Sequence, residues 1–530
     1  YRDDAPLCDL LLSDAENARL DQLWRELTFV TEAPVRQFQD YIYFERSEGR
    51  DIITQAQFDF ARGEDRRVTS PESMRKFAKR YLEAVEKRGV EPEARAEIAR
   101  YFSELSKQIQ AHKRARVEAE PVHLKALLEF ANRAWRRPLR AEESEDLLKF
   151  YRTLREEREL SHEDAIRDVV VSILMSPFFC YRSDFAEPSG SDNRLTSYSL
   201  ANRLSYFLWS SLPDAELMEL AHTDELQKPQ VLMQQVRRML KDERARALAV
   251  EFAGNWLDFR HFQNHVGVDR TKFPQFTDEL RESMFQEPVH FLDDWFQRDG
   301  RVSELLEAQH TFVNQPLAEH YGIPYSQPTA NADGWLRINN ARDYGRGGLL
   351  PMAVFLTKSS PGLRTSPVKR GYWVVKQLLG EHIPAPPAEV PELPKDESDL
   401  GDLTLREVLA KHRENQSCAV CHAKFDFAGL VFEGYGPIGE KRSQDLGGKP
   451  IDSSTIFPND TEGNGLPSLE AYLRKHRQEQ FQENLCRKLL AYGLGRSLLL
   501  SDELTIDEMQ KVLAKGEGRF SSLVEVIVTS

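Results

Sequence analysis

The sequence predicts a mainly α-helical, multi-domain protein. Apolar residues recur with a period near 3.6 along most of the chain, which is the spacing of one helix face. Alternating apolar and polar runs, which would indicate strands, are nearly absent. A length of 530 residues exceeds what one ordinary core can hold, so several domains are expected.

The N-terminal half begins with strongly charged helical segments. Ser13 or Asp14 is a suitable N-cap for the first helix, ahead of an acidic first turn. Residues 77–114 carry mixed charges and few large apolar side chains, so we expect a long solvated helical arm there. A turn-rich stretch at residues 189–193 marks a boundary. Amphipathic helices are predicted on either side of it, over residues 122–135, 141–155, 164–176, 197–210, 214–222, 229–240, 247–262 and 278–296.

The C-terminal half contains long loops and one conspicuous linker. A glycine-containing loop spans residues 330–348, and helices are predicted over 349–356 and 368–379. Residues 382–402 form a proline-rich linker that must run extended, because each proline fixes its φ and lacks an N–H. Its end, residues 396–402, is an acidic tail. Beyond it we predict a glycine-rich loop region over 429–465 and helices over 404–414, 469–474, 481–494, 506–514 and 520–528.

Composition excludes several classes of protein. The chain has 71 Lys+Arg against 85 Asp+Glu, a formal charge of −14, whereas sequence-independent binding of nucleic acid requires a basic face. No stretch of eighteen apolar residues occurs, so no transmembrane segment is expected, and no signal peptide is visible. The chain starts at Tyr1 rather than Met and stops on an apolar run, so we expect it to be a fragment or a processed product.

The most specific motif is Cys418-Ala-Val-Cys421-His422. This C-x-x-C-H pattern is typical of covalent haem c attachment, in which the two thiols add to the haem vinyl groups and the histidine ligates the iron. We expect a backbone carbonyl to hold His422 Nδ1–H, and Pro437 is the candidate. Zinc would require a second pair of ligands and a redox dithiol would require a βαβ context, neither of which is present; a simple Cys418–Cys421 disulfide remains an alternative.

The sixth position on such an iron decides the chemistry of the site. A strong ligand there gives electron transfer, whereas an open position permits substrate or peroxide chemistry. His412 is the first candidate and Met352 a lesser alternative, and His476 and Met509 are the remaining ones. Haem propionates prefer arginine partners in bidentate geometry. The arginines in the right part of the chain are Arg364, Arg370 and Arg442.

Weaker patterns are explained more simply as ordinary structural residues. Glu-x-x-His occurs at Glu120–His123, Glu219–His222 and Glu287–His290, where composition alone predicts on the order of one such match, and a di-metal site is not favoured. His261 and His265 lie one helical turn apart without the Glu of a zinc protease. The other cysteines are interpreted as buried apolar residues, or as one pair and one thiol; they are Cys8, Cys180 and Cys486.

Several segments occur together in the order found in one family. They are Trp135–Arg140, Leu200–Trp209, Leu212–Asp214, Ala318–Ile323, Arg346–Leu350, Arg364–Trp373, Pro384–Pro387, His412-Arg413, Cys418–His422, Asp426, Gly429 and Tyr492–Arg496. With this set the chain resembles the planctomycete-type cytochrome c proteins, which are built from consecutive domains of unknown function. The resemblance implies covalent haem, export to the periplasm or cell envelope, and a histidine at the His412 position. Phe427, where the family tends to have proline after the aspartate, is a departure.

Together these observations predict a mainly helical, multi-domain protein with a C-terminal c-type haem-binding region and long loops. We expect five regions: a charged helical region, two helical domains, a haem-bearing domain that includes the linker at 382–402, and a C-terminal helical domain. Their bounds are 1–118, 119–190, 191–335, 336–465 and 466–530.

Three functions stay open at this point. The first is a periplasmic c-type cytochrome with one haem that exchanges electrons with a partner protein or an upstream cytochrome domain. The second is a haem-dependent oxidoreductase, peroxidase-like or oxidising an organic substrate. The third is a scaffold or binding protein with a Cys418–Cys421 disulfide. The helical mass ahead of the linker is far larger than an electron carrier needs, which points to a docking or catalytic body.

Overall fold

A computed structural model describes residues 4–48, 52–182, 195–326, 334–384, 396–401, 403–414, 416–515 and 518–530. About two thirds of the chain is helical and 4% is strand, which confirms the predicted mainly helical, multi-domain class. The chain divides into two compact units, Tyr1–Tyr181 and Arg182–Ser530. The finer division into five regions stays a prediction, and the turn-rich boundary at 189–193 and most of the proline-rich linker at 382–402 lie outside the described residues.

The first unit consists of helices joined by short turns. Ser13 caps the second helix and forms a reciprocal capping box with Glu16, as the acidic first turn predicts. Short 3₁₀ turns occupy Ala56–Phe58 and Arg66–Thr69. The α-helices are α1 (Ala5–Leu10), α2 (Asp14–Thr31), α3 (Ala33–Ser47), α4 (Pro71–Glu86), α5 (Pro92–Ala134), α6 (Ala141–Glu156), α7 (His162–Met175) and α8 (Pro177–Cys180).

The expected solvated arm over residues 77–114 is wrong. This stretch is part of two helices, α4 and α5, and their apolar side chains Phe77, Phe102 and Ile109 lie in a hydrophobic cluster with Phe38 of α3. A second cluster joins the end of α5 to α6 and α7. A few apolar residues are enough to bury one face of α4 and of α5, because most of them are large and they recur on that face. The predicted boundary at 118/119 falls inside α5.

The second unit contains the remaining helices and two short hairpins. Its α-helices are α9 (Ser197–Trp209), α10 (Ala215–His222), α11 (Pro229–Leu240), α12 (Gly254–Trp256), α13 (Asp278–Gln297), α14 (Glu304–Glu307), α15 (Gln315–Tyr321), α16 (Ala353–Lys358), α17 (Pro367–Trp373), α18 (Leu405–His412), α19 (Gln416–His422), α20 (Asp426–Leu430), α21 (Gly465–His476), α22 (Gln478–Leu494), α23 (Glu503–Lys515) and α24 (Phe520–Thr529). Other helical turns lie at Glu225–Gln227, Glu243–Ala245, Leu248–Ala253, Phe262–Asn264, Ala341–Tyr344, Val374–Leu378, Glu397–Leu400 and Leu500–Asp502.

The strands form two antiparallel pairs. β1 (Thr311–Val313) pairs with β2 (Leu336–Ile338), and β3 (Ser454–Ile456) pairs with β4 (Glu462–Asn464). Thr455 lies opposite Gly463 in the second pair. Each strand has three residues, too few to show the alternation by which a sequence predicts a strand.

One continuous hydrophobic core runs through the second unit. It extends along the chain from Ala201 in α9 to Ile527 in α24 and includes Phe355, Phe427 and Leu485. Regions predicted as separate domains between residues 191 and 530 therefore share a core. No helix among the described residues is long and apolar enough to cross a membrane.

Helices α17 and α20 cross at two glycines with their backbones in contact. A Cβ atom at Gly429 would overlap the carbonyl oxygen of Pro367, and one at Gly371 would overlap that of Phe425. Only glycine permits so close an approach of two backbones. This crossing fixes α20, and with it the preceding helix α19, against the core.

We expect Gly429→Ala to destabilise the second unit by roughly 3 kcal/mol, because the added methyl group must push two backbones apart. Thermal unfolding of the full chain would show this as a midpoint lowered by roughly 5 °C or more. Gly434→Ala is the matched control, since the nearest atom to its Cβ is Ser453 Oγ at 3.8 Å. Equal midpoints for the two variants would contradict the close crossing.

Candidate functional site

The C-x-x-C-H motif forms a single short helix. Cys418, Cys421 and His422 all lie on α19, and both cysteines are part-buried thiols rather than a disulfide. Cys421 packs against the main core of the second unit. The motif therefore has its two thiols one turn apart on a helix that also carries the histidine, as its spacing predicts.

His422 is held by a carboxylate, not by a backbone carbonyl. Its Nδ1 lies 3.0 and 3.1 Å from the two carboxylate oxygens of Asp426, four residues onward at the start of α20. The Asp426 side chain is 3% exposed and also lies 3.4 Å from Arg413 Nη1. The expectation that Pro437 supplies the acceptor is wrong, because the tight α17–α20 crossing brings the first residue of α20 under the imidazole.

An open cavity of about 840 Å³ lies beside His422. Apolar residues of α20 and the β3–β4 hairpin form part of its lining, among them Phe427, Leu430 and Ile456. Two arginines, Arg406 and Arg413, also line it. Neither cysteine of the motif is among the lining residues. The volume is within the range of small-molecule and cofactor sites.

The sequence assigned no role to Arg406, and Arg413 entered only as part of the family segment His412-Arg413. Arg406 lies 2.8 Å from Asp452 and donates to the carbonyl of Ser454, which fixes α18 to the hairpin. Arg413 directly follows His412 and reaches Asp426. Their position in the sequence could have indicated a role. Arg406 lies on α18 and Arg413 directly after it, only a few residues before Cys418, so both must lie near the motif.

His412 lies next to His422, as the prediction of an iron ligand requires, but in a different arrangement. The two ring centroids are 5.0 Å apart and the planes meet at 67°. Burial and the neighbouring His422 lower the pKa of His412. Two imidazoles that ligate one metal ion keep their ligating nitrogens about 4 Å apart with the ion between them. Because the His412 and His422 rings are in direct edge-on contact, ligation by His412 would require its ring to move.

The other candidates for the sixth ligand lie elsewhere. Met352 is 1% exposed and Met509 is fully buried, and both belong to the hydrophobic core. The His476 ring lies tilted against Tyr472, and its Nε2 is 3.3 Å from the side-chain amide nitrogen of Asn459. None of the three is among the residues that line the cavity beside His422.

Arg442 has structural partners instead of the expected propionate. Its guanidinium lies 2.8 Å from Glu397 and 3.1 Å from Glu433, and it also donates to Thr365 Oγ1. Both carboxylates are nearly inaccessible to solvent. Burial raises the pKa of Glu433. At Glu397 burial acts in the same direction, but the charge and hydrogen bond of Arg442, together with the backbone N–H groups of Leu446 and Thr365, lower its pKa overall. Residues 396–401 are therefore not merely a solvated acidic tail.

The two remaining arginines also serve the fold. Arg364 donates to the Thr365 carbonyl, and burial lowers its pKa. Arg370 is 1% exposed and donates to the carbonyls of Phe432, Tyr435 and Gly436. Neither lines the cavity beside His422.

The weaker motifs form no metal site. No group of three or more potential ligands that could hold a metal ion occurs in the described part of the chain. In the first unit His123 Nδ1 lies 2.9 Å from His162. In the second unit His222 contacts Tyr198, His290 lies against Trp335, and His265 stacks on Phe262. These are packing and hydrogen-bonding roles.

The cysteines outside the motif form no disulfide either. Cys8 is part-buried, Cys180 is exposed and Cys486 is buried. Burial raises the pKa of Cys486 to about 12, so it is an inert thiol.

Four family models match consecutive stretches of the chain. Each is described as a protein of unknown function: DUF1595 over residues 124–184, DUF1592 over 195–323, DUF1588 over 346–445 and DUF1585 over 459–530. The C-x-x-C-H helix and Asp426 lie within the third stretch. No curated protein and no solved structure matches the chain.

Glu287 generates a testable pH dependence. Burial raises its pKa from 4.5 to about 7, against hydrogen bonds from Thr311 and Tyr321. Between these values the folded protein holds a proton that the unfolded chain loses. Stability from this group is therefore complete below pH 4.5 and falls, by up to about 3 kcal/mol, as the pH rises through 7.

Glu287→Gln should remove this loss. Thermal midpoints of wild type and variant measured at pH 5 and pH 8 test the effect, and the variant should gain relative to the wild type at pH 8. A midpoint difference that is the same at both pH values would contradict the buried, protonated carboxyl.

Arg442→Gln should cost 3–5 kcal/mol, because two buried carboxylates lose their cation. The midpoint of thermal unfolding measures this loss of stability. Arg442→Lys should restore part of the stability, because it keeps the positive charge but not the two guanidinium contacts with Glu397 and Glu433. A variant Arg442→Gln that keeps its stability but no longer binds haem would instead support the expectation that Arg442 binds a haem propionate.

Proposed function

We propose that this chain, which belongs to the planctomycete-type cytochrome c proteins built from consecutive domains of unknown function, is a c-type cytochrome with one covalently bound haem. Cys418 and Cys421 would form the thioether bonds and His422 would ligate the iron. The protein would exchange electrons with a redox partner or with a cytochrome domain upstream in the same protein.

The geometry of α19 and Asp426 carries this proposal. Two thiols lie one turn apart with the histidine beside the second, which suits attachment at two vinyl groups. Because the Asp426 carboxylate engages His422 Nδ1, the other ring nitrogen, Nε2, is the one available for a metal.

The adjacent cavity supplies suitable walls. Its apolar residues would contact a bound group, and Arg406 and Arg413 place positive charge in the lining, where each also pairs with a carboxylate of the protein, Asp452 and Asp426 respectively. A bound haem supplies one-electron chemistry. The protein contributes orientation of the imidazole, a partly apolar surrounding and positive charge at one side.

Location and partners follow from the same family membership. We expect the periplasm or cell envelope, where this family is predicted to be exported. Nucleic acid is not an expected partner, because the chain has a net charge of −14.

Expression of the full chain with a c-haem maturation system tests the proposal. We expect a pyridine haemochrome spectrum, resistance to acid-acetone extraction and a mass increase of one haem on the peptide with residues 418–422. The double variant Cys418→Ala/Cys421→Ala should lose all covalent haem. Cys180→Ala is the matched control and should keep it, because that thiol is exposed and outside the motif. Folded, matured wild type without covalent haem would overturn the proposal.

A haem-dependent oxidoreductase is the second candidate. The observation in its favour is the edge-on contact of His412 with His422, which does not provide a ready sixth ligand. A high-spin spectrum that changes with cyanide, carbon monoxide or peroxide would select the enzyme. A low-spin spectrum that does not change would select the electron carrier.

A further inference from the structure

The most unusual polar contact at this site is that between His422 and Asp426. Both carboxylate oxygens lie within 3.1 Å of the same imidazole nitrogen, Nδ1. The sequence pattern leads to the expectation of a neutral backbone carbonyl there. A carboxylate differs from a carbonyl because it carries a full negative charge.

The carboxylate cannot easily leave this position. Asp426 is the first residue of α20, which Gly371 and Gly429 lock against α17. Its side chain is 3% exposed, and the flanking Phe425 and Phe427 are 5% and 6% exposed. A substitution that keeps the shape of Asp426 therefore changes the charge beside His422 with little change in packing.

Buried negative charge at Nδ1 has a defined effect on the other ring nitrogen. A carboxylate that accepts the Nδ1 hydrogen fixes the ring and raises the basicity of Nε2. A more basic ligand and a nearby negative charge both stabilise ferric over ferrous iron. Arg413 offsets part of this charge, but its side chain is 32% exposed and its contact is longer, at 3.4 Å.

We propose that Asp426 is a positioning residue that turns His422 into a strongly donating iron ligand and lowers the reduction potential of the haem. This inference rests on the proposed function. In this inference a single carboxylate, that of Asp426, lowers the reduction potential. The reduced haem would therefore be a better electron donor.

Redox titration of matured full-length protein tests the inference. Asp426→Asn should raise the potential, with a shift of about tenfold or more in the ferric-to-ferrous ratio, which is 59 mV for one electron. Asp426→Glu, which keeps the charge, should restore part of the effect. Asp507→Asn is the matched control: it removes the same charge from an exposed residue of α23 that does not line the cavity beside His422, and it should leave the potential nearly unchanged.

The outcomes separate the inference from the function beneath it. Wild type without covalent haem overturns both. Wild type with covalent haem and an Asp426→Asn variant of equal potential overturns the inference alone, as does an equal shift in Asp507→Asn. Should Asp426→Asn fail to mature, the iron–histidine stretching frequency of the ferrous wild type decides. A frequency raised above that of a neutral imidazole ligand supports the inference, and an ordinary frequency overturns it.

Discussion

The contact of two backbones at Gly371 and Gly429 is the constraint on which the rest of the site depends. It sets where α20 begins and therefore where the Asp426 carboxylate lies. That carboxylate in turn holds the His422 imidazole at the end of α19. The absence of side chains at Gly371 and Gly429 thus determines the orientation of the His422 imidazole, because their close contact fixes the position of α20.

Buried arginines donate hydrogen bonds to backbone carbonyls that regular secondary structure leaves without partners. The chain between residues 431 and 442 contains no helix and only the isolated β-bridge of Tyr435 with Lys441, so most of its carbonyls need partners from elsewhere. Arg370 and Arg346 supply them from α17 and the loop before α16, and Arg442 joins the same loop to Glu397. Buried guanidinium groups suit this role since each has five donors in a fixed plane.

Much of the fold follows from periodicity, and the failures have physical causes. Helix α11 has the bounds 229–240 that its pattern predicts. The predicted helix over 247–262 is interrupted, because a π-helical turn at Leu248–Ala253 shifts the phase of the apolar face and Asp258 adopts a positive φ. At the site, the spacing of Cys418, Cys421 and His422 was sufficient to find the motif. The roles of Arg442 and Glu397 were not predictable, because their pairing joins segments 45 residues apart.

The large helical body also has a structural reason to exist. The three helices around the motif have eight, seven and five residues. Helices shorter than about 12 residues are marginal in water, so these depend on tertiary packing for their conformation. Helices α19 and α20 pack against a core that draws on side chains from α9 to α24, and α18 packs Leu405 and Leu409 in a small separate cluster with Leu400 and Val368. The C-x-x-C-H motif is therefore not a separate cytochrome module, because its short helices depend on the helical part of the second unit in order to fold.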